Sequence, residues 1–325
     1  MAELPISVII PTRERPGPLG ECLQALRAQT RPPLEVIVVD SSADARSAEL
    51  VAGLAGGFPC ELRRLGAERG SCRQRNAGAA AARGAVLAFL DDDCVPQPDY
   101  LAAVARAFGE DPDGRLGGVQ GVITNLTRPG RMARLLLRLA GYDAARPGAF
   151  LRNGLAVPAE SLPAEAAPFE ADWLAGASSF RAEVFRQERF SELMEAGSGY
   201  ASAEDVDFSL RVGRRWRLAV VPAARMEHRV ARSGGRPGAL DLGWQMAVNR
   251  HRLFHTYVRP RGPGTWLAYL WSVIAWPPVT AVLLLRAGRP LEAVLRPAAM
   301  LSGGLWALLS GKKGAETPGR QGSCA

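Results

Sequence analysis

The stretch AVLAFLDDDC, residues 85–94, places three consecutive carboxylates directly after an apolar run with the length and composition of a buried β-strand. Ligands of parallel α/β sheets bind at the carboxyl ends of the strands. Asp91 and Asp93 are two positions apart, so in an extended chain their side chains point to the same side and can share one hard cation, Mg²⁺ or Mn²⁺. Such a cation commonly also holds substrate phosphates. The alternative is a solvated acidic turn before a helix predicted over 98–108. The stretch therefore predicts a strand that ends at a metal and phosphate site.

Apolar runs and helical patterns alternate on the amino-terminal side of this strand. This rhythm predicts βαβ units and a buried, mostly parallel sheet flanked by helices. The turn over 11–17 contains neither GxGxxG nor GxxxxGK, which disfavours dinucleotide-dependent dehydrogenases and P-loop ATPases. The strand runs are 6–10, 34–39 and 85–90, and the helical runs are 19–28 and 43–55.

The carboxyl-terminal side continues the α/β pattern to about residue 228. Strands are predicted over 173–180 and 218–221, the second ending at Pro222, with a helix over 203–215 between them. Glu204 and Asp205 fall in the first turn of that helix, where the helix dipole favours carboxylates. They either cap the helix or supply a general base, Asp205, for an acceptor hydroxyl.

Two further polar residues follow strand ends or lead into the acidic strand. Asp40 closes the second strand, where a short acceptor can hydrogen-bond a base or ribose, although aspartate also caps turns. Arg75 either meets a phosphate or pairs with one of the aspartates, and Arg69 is its rival.

Composition excludes several classes of protein. The 325 residues are 47% hydrophobic and 22% charged, which argues against a wholly disordered or many-pass membrane protein. Five cysteines without a CxxC pair predict neither a structural zinc site nor a disulfide scaffold, and favour a reducing compartment. The first residues have no signal-peptide pattern, so we expect the α/β domain in the cytoplasm.

The net charge of +8 is concentrated in one segment. Residues 211–261 hold twelve arginines and two acids, and the uncharged run 265–285 follows, long enough to cross about 30 Å of hydrocarbon. A second apolar run covers 297–310. Basic flanks predict a membrane-associated hairpin, two-pass or re-entrant, over 263–311, with the domain and tail on the cytoplasmic face. The alternative is a buried helical hairpin of a soluble domain. The predicted parts are 1–228, an Arg-rich juxtamembrane segment 229–262, the hairpin 263–311 and a flexible tail 312–325.

Five segments, taken in order, resemble the family 2 glycosyltransferases of the nucleotide-diphospho-sugar GT-A type. The resemblance covers about 5–228 and includes a DXD signature and an ED motif. The segments are ISVIIPTRERPGPLGECLQAL, VIVVDSS, RQRNAGAAAARGAVLAFLDDDCVP, DWLAGASSFRAEVF and SAEDVDFSLRV. The resemblance implies a GT-A fold, an enzyme, a nucleotide-sugar donor and a divalent metal, Mg²⁺ or Mn²⁺.

It also implies roles for individual residues. The implied donor-binding residues are Pro11, Thr12, Arg13, Asp40, Arg75, Asp91 and Asp92. The implied metal ligands are Asp93, Asp91 and His228; a lone histidine after a strand is also commonly structural. Trp173 and Gly176 belong to the implied acceptor side, Asp205 is the implied general base, and Glu204 orients the acceptor or Asp205.

The predicted function is inverting transfer of one sugar to a hydroxyl of a lipid or saccharide acceptor, from the cytoplasmic face of a bacterial-type inner membrane. No QxxRW segment follows the ED helix, which disfavours a processive synthase. Residues 89–95 also fit the nucleophile strand of haloacid-dehalogenase-like phosphatases, with Asp91 as nucleophile, but the only lysines are Lys312 and Lys313. A non-catalytic module that binds anionic lipid is the remaining alternative. Nucleic acid is disfavoured because no helix-turn-helix or RNP pattern is present.

Overall fold

The computed structural model describes residues 4–126, 130–142, 147–159, 162–163, 166–195, 199–230, 237–258 and 262–310. They form two compact units. The first lies within 1–129, 144–150 and 156–236, and the second within 130–143, 151–155 and 237–325. The predicted tail, 312–325 with Lys312 and Lys313, lies outside the described residues.

The first unit is built on one nine-stranded mixed sheet of order β3-β2-β1-β4-β8-β6-β9-β5, with β7 paired to β9. The pairs β1/β2, β2/β3, β1/β4 and β6/β9 are parallel, whereas β8 runs antiparallel to β4 and β6, and β5 and β7 run antiparallel to β9. The strands are β1 Ile6–Thr12, β2 Glu35–Asp40, β3 Glu61–Gly66, β4 Val86–Phe89, β5 Cys94–Pro96, β6 Leu116–Ile123, β7 Phe169–Glu170, β8 Ser178–Arg181 and β9 Arg217–His228. Its helices are α1 Pro16–Arg27, α2 Arg46–Ala55, α3 Ser71–Ala81, α4 Tyr100–Gly109 and α6 Glu204–Val212.

The central strands are buried on both faces. Val8 and Ile10 of β1 belong to a core that includes α1 and α4, whereas Ile9 belongs to a core with Cys72 of α3 and Phe208 of α6. Because successive side chains of a strand point to opposite faces, a strand between two helical layers is apolar throughout. This is why the continuous apolar runs in the sequence mark these strands.

Three predicted boundaries are wrong. The strand predicted over 173–180 is shorter in the structure and covers Ser178–Arg181. The helix predicted over 203–215 covers Glu204–Val212. Pro222 does not end β9, which continues to His228. The β6/β9 register jumps from Gln120↔Val220 to Val122↔Arg225, so Pro222 lies in an irregularity where its missing N–H breaks no regular ladder.

The second unit is helical. It contains α5 Arg131–Leu139, α7 Ala239–Tyr257, α8 Pro263–Arg286 and α9 Pro290–Ser310. By length and composition α8 and α9 could each cross a membrane, since 24 and 21 residues span about 36 and 31 Å at roughly 1.5 Å per residue. Pro277 and Pro278 lie inside α8, which continues through both of them.

Candidate active site

The loop after β1 holds Asp92. The Thr12 hydroxyl donates to Asp92 Oδ2 at 2.7 Å, and Arg15 Nη1 donates to Asp92 Oδ1 at 2.5 Å and lies 3.5 Å from Asp93 Oδ2. Because β1 and β4 are parallel neighbours, their carboxyl ends bring these groups together. Burial raises the pKa of Asp92 to about 6, although Arg15 and Thr12 act in the opposite direction. Asp92 is thus bound by the protein's own donors.

Asp91, Asp93, Cys94 and His228 form a cluster at the end of β4. One ligand atom from each lies within 4.8 Å of all the others. The antiparallel β5/β9 pair sets Cys94 opposite His228, whose Nε2 is 3.0 Å from Asp93 Oδ1. Burial raises the pKa of the Cys94 thiol well above its ordinary value, so it stays neutral and suits a hard cation poorly. Two carboxylates and one imidazole remain, and the carboxylate oxygens are the donors that suit Mn²⁺ and Mg²⁺.

Asn125 anchors the histidine of this cluster. The backbone N–H of His228 donates to Asn125 Oδ1 at 3.0 Å, and Asn125 Nδ2 donates to the backbone carbonyl of His228 at 3.1 Å. The Arg229 N–H donates to the Asp93 carbonyl at 2.8 Å. These contacts hold the end of β9 against the acidic turn. Sequence reasoning missed Asn125, and its only signal is a polar residue shortly after a strand.

Arg75 of α3 connects the acidic strand to the ED helix. Its Nη2 donates to Asp91 Oδ1 and its Nη1 to Glu204 Oε1, both at 2.9 Å. Burial lowers the pKa of Arg75, but the carboxylates of Asp91 and Glu204 raise it, and the net result lies above the ordinary value. Of the two predicted roles for Arg75, the structure has the pairing with an aspartate. The rival Arg69 lies against Gly199.

The two acids of the ED motif have different surroundings. Ala203, just before α6, has a left-handed backbone with φ of 62°, and Glu204 follows it as a buried residue paired with Arg75. Asp205 is partly exposed, and its Oδ1 accepts the Val206 N–H at 2.8 Å. Glu204 is therefore charge-compensated inside the fold, and Asp205 is the more accessible carboxylate.

Asp40 is buried at the end of β2. It accepts the Ser42 N–H and the Arg64 Nε–H, each at 2.8 Å, so both of its oxygens have contacts in the protein. Gln74, which sequence reasoning also missed, donates to the carbonyls of Thr12 and Val39 at 2.8 and 2.7 Å. It ties together the ends of β1 and β2, where the donor-binding residues are predicted.

The remaining predicted donor residues lie on or after β1. Pro11 is partly buried within β1. Arg13 follows it and forms an ion pair of 3.6 Å with Glu14. Neither contacts the metal-ligand cluster through a described hydrogen bond or ion pair.

The predicted acceptor segment is irregular backbone held by side chains. Ser209 Oγ accepts the Leu174 N–H at 3.0 Å, and Gln120 Oε1 accepts the Ala175 N–H at 2.6 Å. Trp173 is buried, and its indole N–H has no hydrogen-bond partner among the described residues. A Cβ on Gly176 would lie 3.3 Å from Arg75 Nη2 and 3.9 Å from Asp91 Oδ2. This segment therefore adjoins the acidic cluster at Gly176.

Several described arginines of the segment 211–261 are paired or buried within the protein. Arg217 pairs with Asp111 at 2.6 Å, and Arg229 pairs with Glu21 at 2.8 Å. Arg250 of α7 donates to the Asn153 carbonyl at 2.9 Å, and Arg252 is buried. Many of these charges are used inside the protein, so the count of arginines overstates what a lipid surface could contact.

A cluster of carboxylates thus lies at the carboxyl end of β4, and Arg75 connects it to the acidic first turn of α6. Residues 7–154, a little under half of the chain, match the model of the family Glycosyl transferase family 2. The predicted membership of glycosyltransferase family 2 is confirmed for this segment.

Curated relatives agree over shorter stretches. The chain is 31% identical over 108 residues to an uncharacterized glycosyltransferase of Haemophilus influenzae and 34% identical over 99 residues to glycosyltransferase AglE of Haloferax volcanii. These matches cover 33% and 30% of this chain, and 36% and 33% of the relatives. The match thus spans about a third of the length of each.

Solved structures agree over nearly the whole chain. A mannosyltransferase of Pyrobaculum calidifontis, in complex with GDP-Man and Mn²⁺, is 20% identical with a TM-score of 0.56, over 95% of this chain and 88% of that one. TarS of S. aureus, residues 1–349 with UDP-GlcNAc, is 16% identical with a TM-score of 0.50, over 94% and 91%. At these identities the likeness concerns the fold, and the predicted GT-A fold class is confirmed.

Proposed function

We propose that this chain transfers a single sugar from a nucleotide-diphospho-sugar to an acceptor hydroxyl, with inversion at the anomeric carbon. The observation that carries the proposal is the convergence of Asp91, Asp93 and His228 at the end of β4. The ion-pair chain from Asp91 through Arg75 to Glu204 then connects this cluster to the start of α6, where Asp205 lies. The proposed donor-binding residues and the proposed general base would thus be connected by this chain of ion pairs.

Asp91, Asp93 and His228 would hold the divalent metal. A bound Mg²⁺ or Mn²⁺ supplies positive charge that offsets the charge of the leaving diphosphate. The mannosyltransferase of Pyrobaculum calidifontis, which shares the fold, is described in complex with Mn²⁺ and GDP-Man. Asp92, already bound to Thr12 and Arg15, shapes the donor side of the same turn. We place the nucleotide against Pro11, Thr12, Arg13 and Asp40, at the ends of β1 and β2.

Asp205 is the proposed general base. Its carboxylate accepts the proton of the acceptor hydroxyl while that oxygen bonds to the anomeric carbon, and the bond from this carbon to the diphosphate oxygen breaks. Attack from the face opposite the leaving group inverts the configuration. Glu204 serves this reaction as a positioning residue, because its carboxylate is paired with Arg75. Trp173 and Gly176 would border the acceptor.

A lipid or lipid-linked saccharide is the proposed acceptor class, at the cytoplasmic face of a membrane. Support comes from where the described apolar surface lies: of 19 exposed large apolar side chains, 15 belong to the second unit. Exposed apolar side chains concentrated in one unit indicate an interaction surface. The faces of α8 and α9 that carry it would contact acyl chains.

The direct test starts with donors. A thermal-shift panel of UDP-, GDP- and dTDP-sugars with Mn²⁺ identifies the nucleotide, and proton NMR of the product reports the anomeric configuration. We expect Asp205→Asn to keep donor binding and to lose at least about 100-fold in transfer, the usual contribution of a general base. Asp44→Asn, at a partly exposed aspartate just before α2, is the matched control. Full turnover by Asp205→Asn would refute the base assignment, and a retained configuration would refute inversion.

The phosphatase alternative makes a different prediction. There Asp91→Asn abolishes phosphate release outright, whereas in a transferase it weakens metal and donor binding. The cation beside Asp91 is Arg75, and both lysines of the chain lie outside the described residues. Phosphate release from simple phosphate monoesters by the wild type, without a sugar acceptor, would favour the phosphatase. Anionic-lipid binding without turnover of any donor would favour the non-catalytic module.

A further inference from the structure

The helix α5 has three distinct sectors. Ala133, Leu137 and Ala140 form a buried sector that packs within the second unit. A second sector is apolar but exposed: Met132, Leu135 and Leu139 are 57%, 50% and 59% accessible. Residues three and four positions apart share a helix face, so these three side chains form one stripe. Scattered exposed apolar residues are ordinary, whereas a stripe along a nine-residue helix indicates an interaction surface.

The third sector is basic. Arg131, Arg134 and Arg138 are exposed and share the next face of α5, beside the apolar stripe. No acidic residue occurs in 130–142. An apolar stripe bordered by arginines is typical of helices that lie at a membrane interface, with the arginines at the level of anionic headgroups.

The stripe continues onto α8. The Trp271 indole N–H donates to the Leu139 carbonyl at 2.6 Å, and Tyr142 stacks on Trp276 with ring centroids 5.3 Å apart. Trp271 is itself exposed and shares a face of α8 with Leu267 and Ile274, which are also exposed. Tryptophan is enriched at the membrane–water boundary. The apolar surface of α5 therefore meets that of α8 at a residue suited to the interface.

We propose that α5 is an interfacial helix that inserts Met132, Leu135 and Leu139 into the headgroup–acyl boundary and places its three arginines on anionic lipid headgroups. The inference rests on the proposed membrane location of α8 and α9. It adds a second contact with the bilayer, contributed by a segment of the chain between β6 and β7.

The charge pattern favours lipid over a second copy of the chain. A twofold contact through the stripe would bring the same arginine sector of both copies together, and like charges at an interface are unfavourable. An anionic surface instead attracts each arginine.

The test measures membrane depth in the full chain in nanodiscs. Cys60→Ser and Cys324→Ser remove two of the five thiols, and the other three, Cys22, Cys72 and Cys94, are buried. A fluorophore is then attached at Leu135→Cys on α5, at Ile274→Cys on α8, or at Glu49→Cys on α2 as an aqueous control. Lipid-borne nitroxide reports contact with the bilayer, and iodide reports contact with water.

We expect the Leu135→Cys label to be quenched by shallow lipid nitroxide and shielded from iodide, unlike the Glu49→Cys label. This quenching should grow with the fraction of phosphatidylserine and lose that dependence in the triple variant Arg131→Gln, Arg134→Gln, Arg138→Gln. Iodide quenching at Leu135→Cys with lipid quenching at Ile274→Cys overturns the α5 inference and leaves the hairpin in the membrane. Iodide quenching at both positions overturns both proposals. Shielding of Leu135→Cys from both quenchers indicates a protein partner and also overturns the inference.

Discussion

Arg75 Nη1 lies 2.9 Å from Glu204 Oε1, and this ion pair joins α3 to the first turn of α6 across 129 positions of the sequence. Both side chains are almost fully buried. Removing one partner of a buried pair leaves an uncompensated charge, which commonly costs about 3–5 kcal/mol.

We therefore predict that Arg75→Met lowers the free energy of unfolding by about 3 kcal/mol or more, and that adding Glu204→Gln recovers part of the loss. Denaturant unfolding of the two single variants and the double variant measures the coupling. Arg46→Ala, which removes an exposed pair with Asp44, is the control and should change little. Additive losses in the double variant would show that the pair does not act as a unit.

The Asn125–His228 contacts predict a measurable effect on metal affinity. Asn125→Ala should weaken Mn²⁺ binding by about tenfold, because groups that orient a ligand typically contribute 10–100-fold. His228→Gln and Asp93→Asn should weaken it further. Titration calorimetry with Mn²⁺ in the absence of donor gives the affinities directly. Unchanged binding in His228→Gln would remove the histidine from the ligand set.

Because α3 packs closely on β1 at Gly78, we expect a methyl group added at this glycine to lower the free energy of unfolding. A Cβ on Gly78 would lie 2.4 Å from Ile9 Cγ2 and 3.0 Å from Val39 Cγ2, so Gly78→Ala must push α3 away from the sheet. We expect a loss of about 1–3 kcal/mol and weaker donor binding, because Gln74 and Arg75 lie on the same helix. Gly53→Ala on α2 meets open space and should be neutral or slightly stabilising. Thermal unfolding of both variants makes the comparison, and equal stabilities would contradict the packing argument.

The buried His251 of α7 predicts acid sensitivity of the second unit. Burial, with the neighbouring His255, lowers the pKa of His251 to about 4, and its Nδ1 lies 2.7 Å from the Tyr269 hydroxyl. A histidine whose pKa is lower in the folded state favours folding above its unfolded pKa of about 6.5. That contribution is lost as the pH falls from about 6.5 towards 4. His251→Gln should flatten the pH dependence of the melting temperature over this range, which thermal unfolding at several pH values would measure.

The sequence predicts some parts of this molecule well for identifiable physical reasons. Strands such as β1 and β2 are buried on both faces, which leaves an unbroken apolar run in the chain. The acidic turn could also be identified from the sequence as a candidate site, because three carboxylates after a buried strand have few structural uses. The structure also brings His228 Nε2 to 3.0 Å from Asp93 Oδ1, although the two residues are 135 positions apart in the sequence.

Other parts depend on partners that are distant in the sequence. Asn125 and Gln74 act on the backbone of neighbouring strands, and nothing in their local sequence announces those contacts. Whether an arginine is free or paired depends on acids elsewhere in the chain, as with Arg217 and Asp111, so a local charge count does not show which arginines of 211–261 are available to a partner. Pro222 misled the β9 prediction because the irregular register that accommodates it arises only from the pairing with β6.

The irregular β6/β9 register also affects the position of His228 at the end of β9. Four residues of β9, 221–224, stand opposite the single residue Gly121 of β6, where the Ala224 carbonyl occupies the space a Cβ would need. Because side chains alternate between the two faces of a strand, the number of residues in this irregular segment sets which face each later side chain of β9 takes. Deleting one residue there would turn His228 to the opposite face of its strand while leaving the preceding pairs intact. The length of this short segment thus determines whether His228 faces the proposed metal cluster, and we expect relatives that differ in length here to place a different residue at that position.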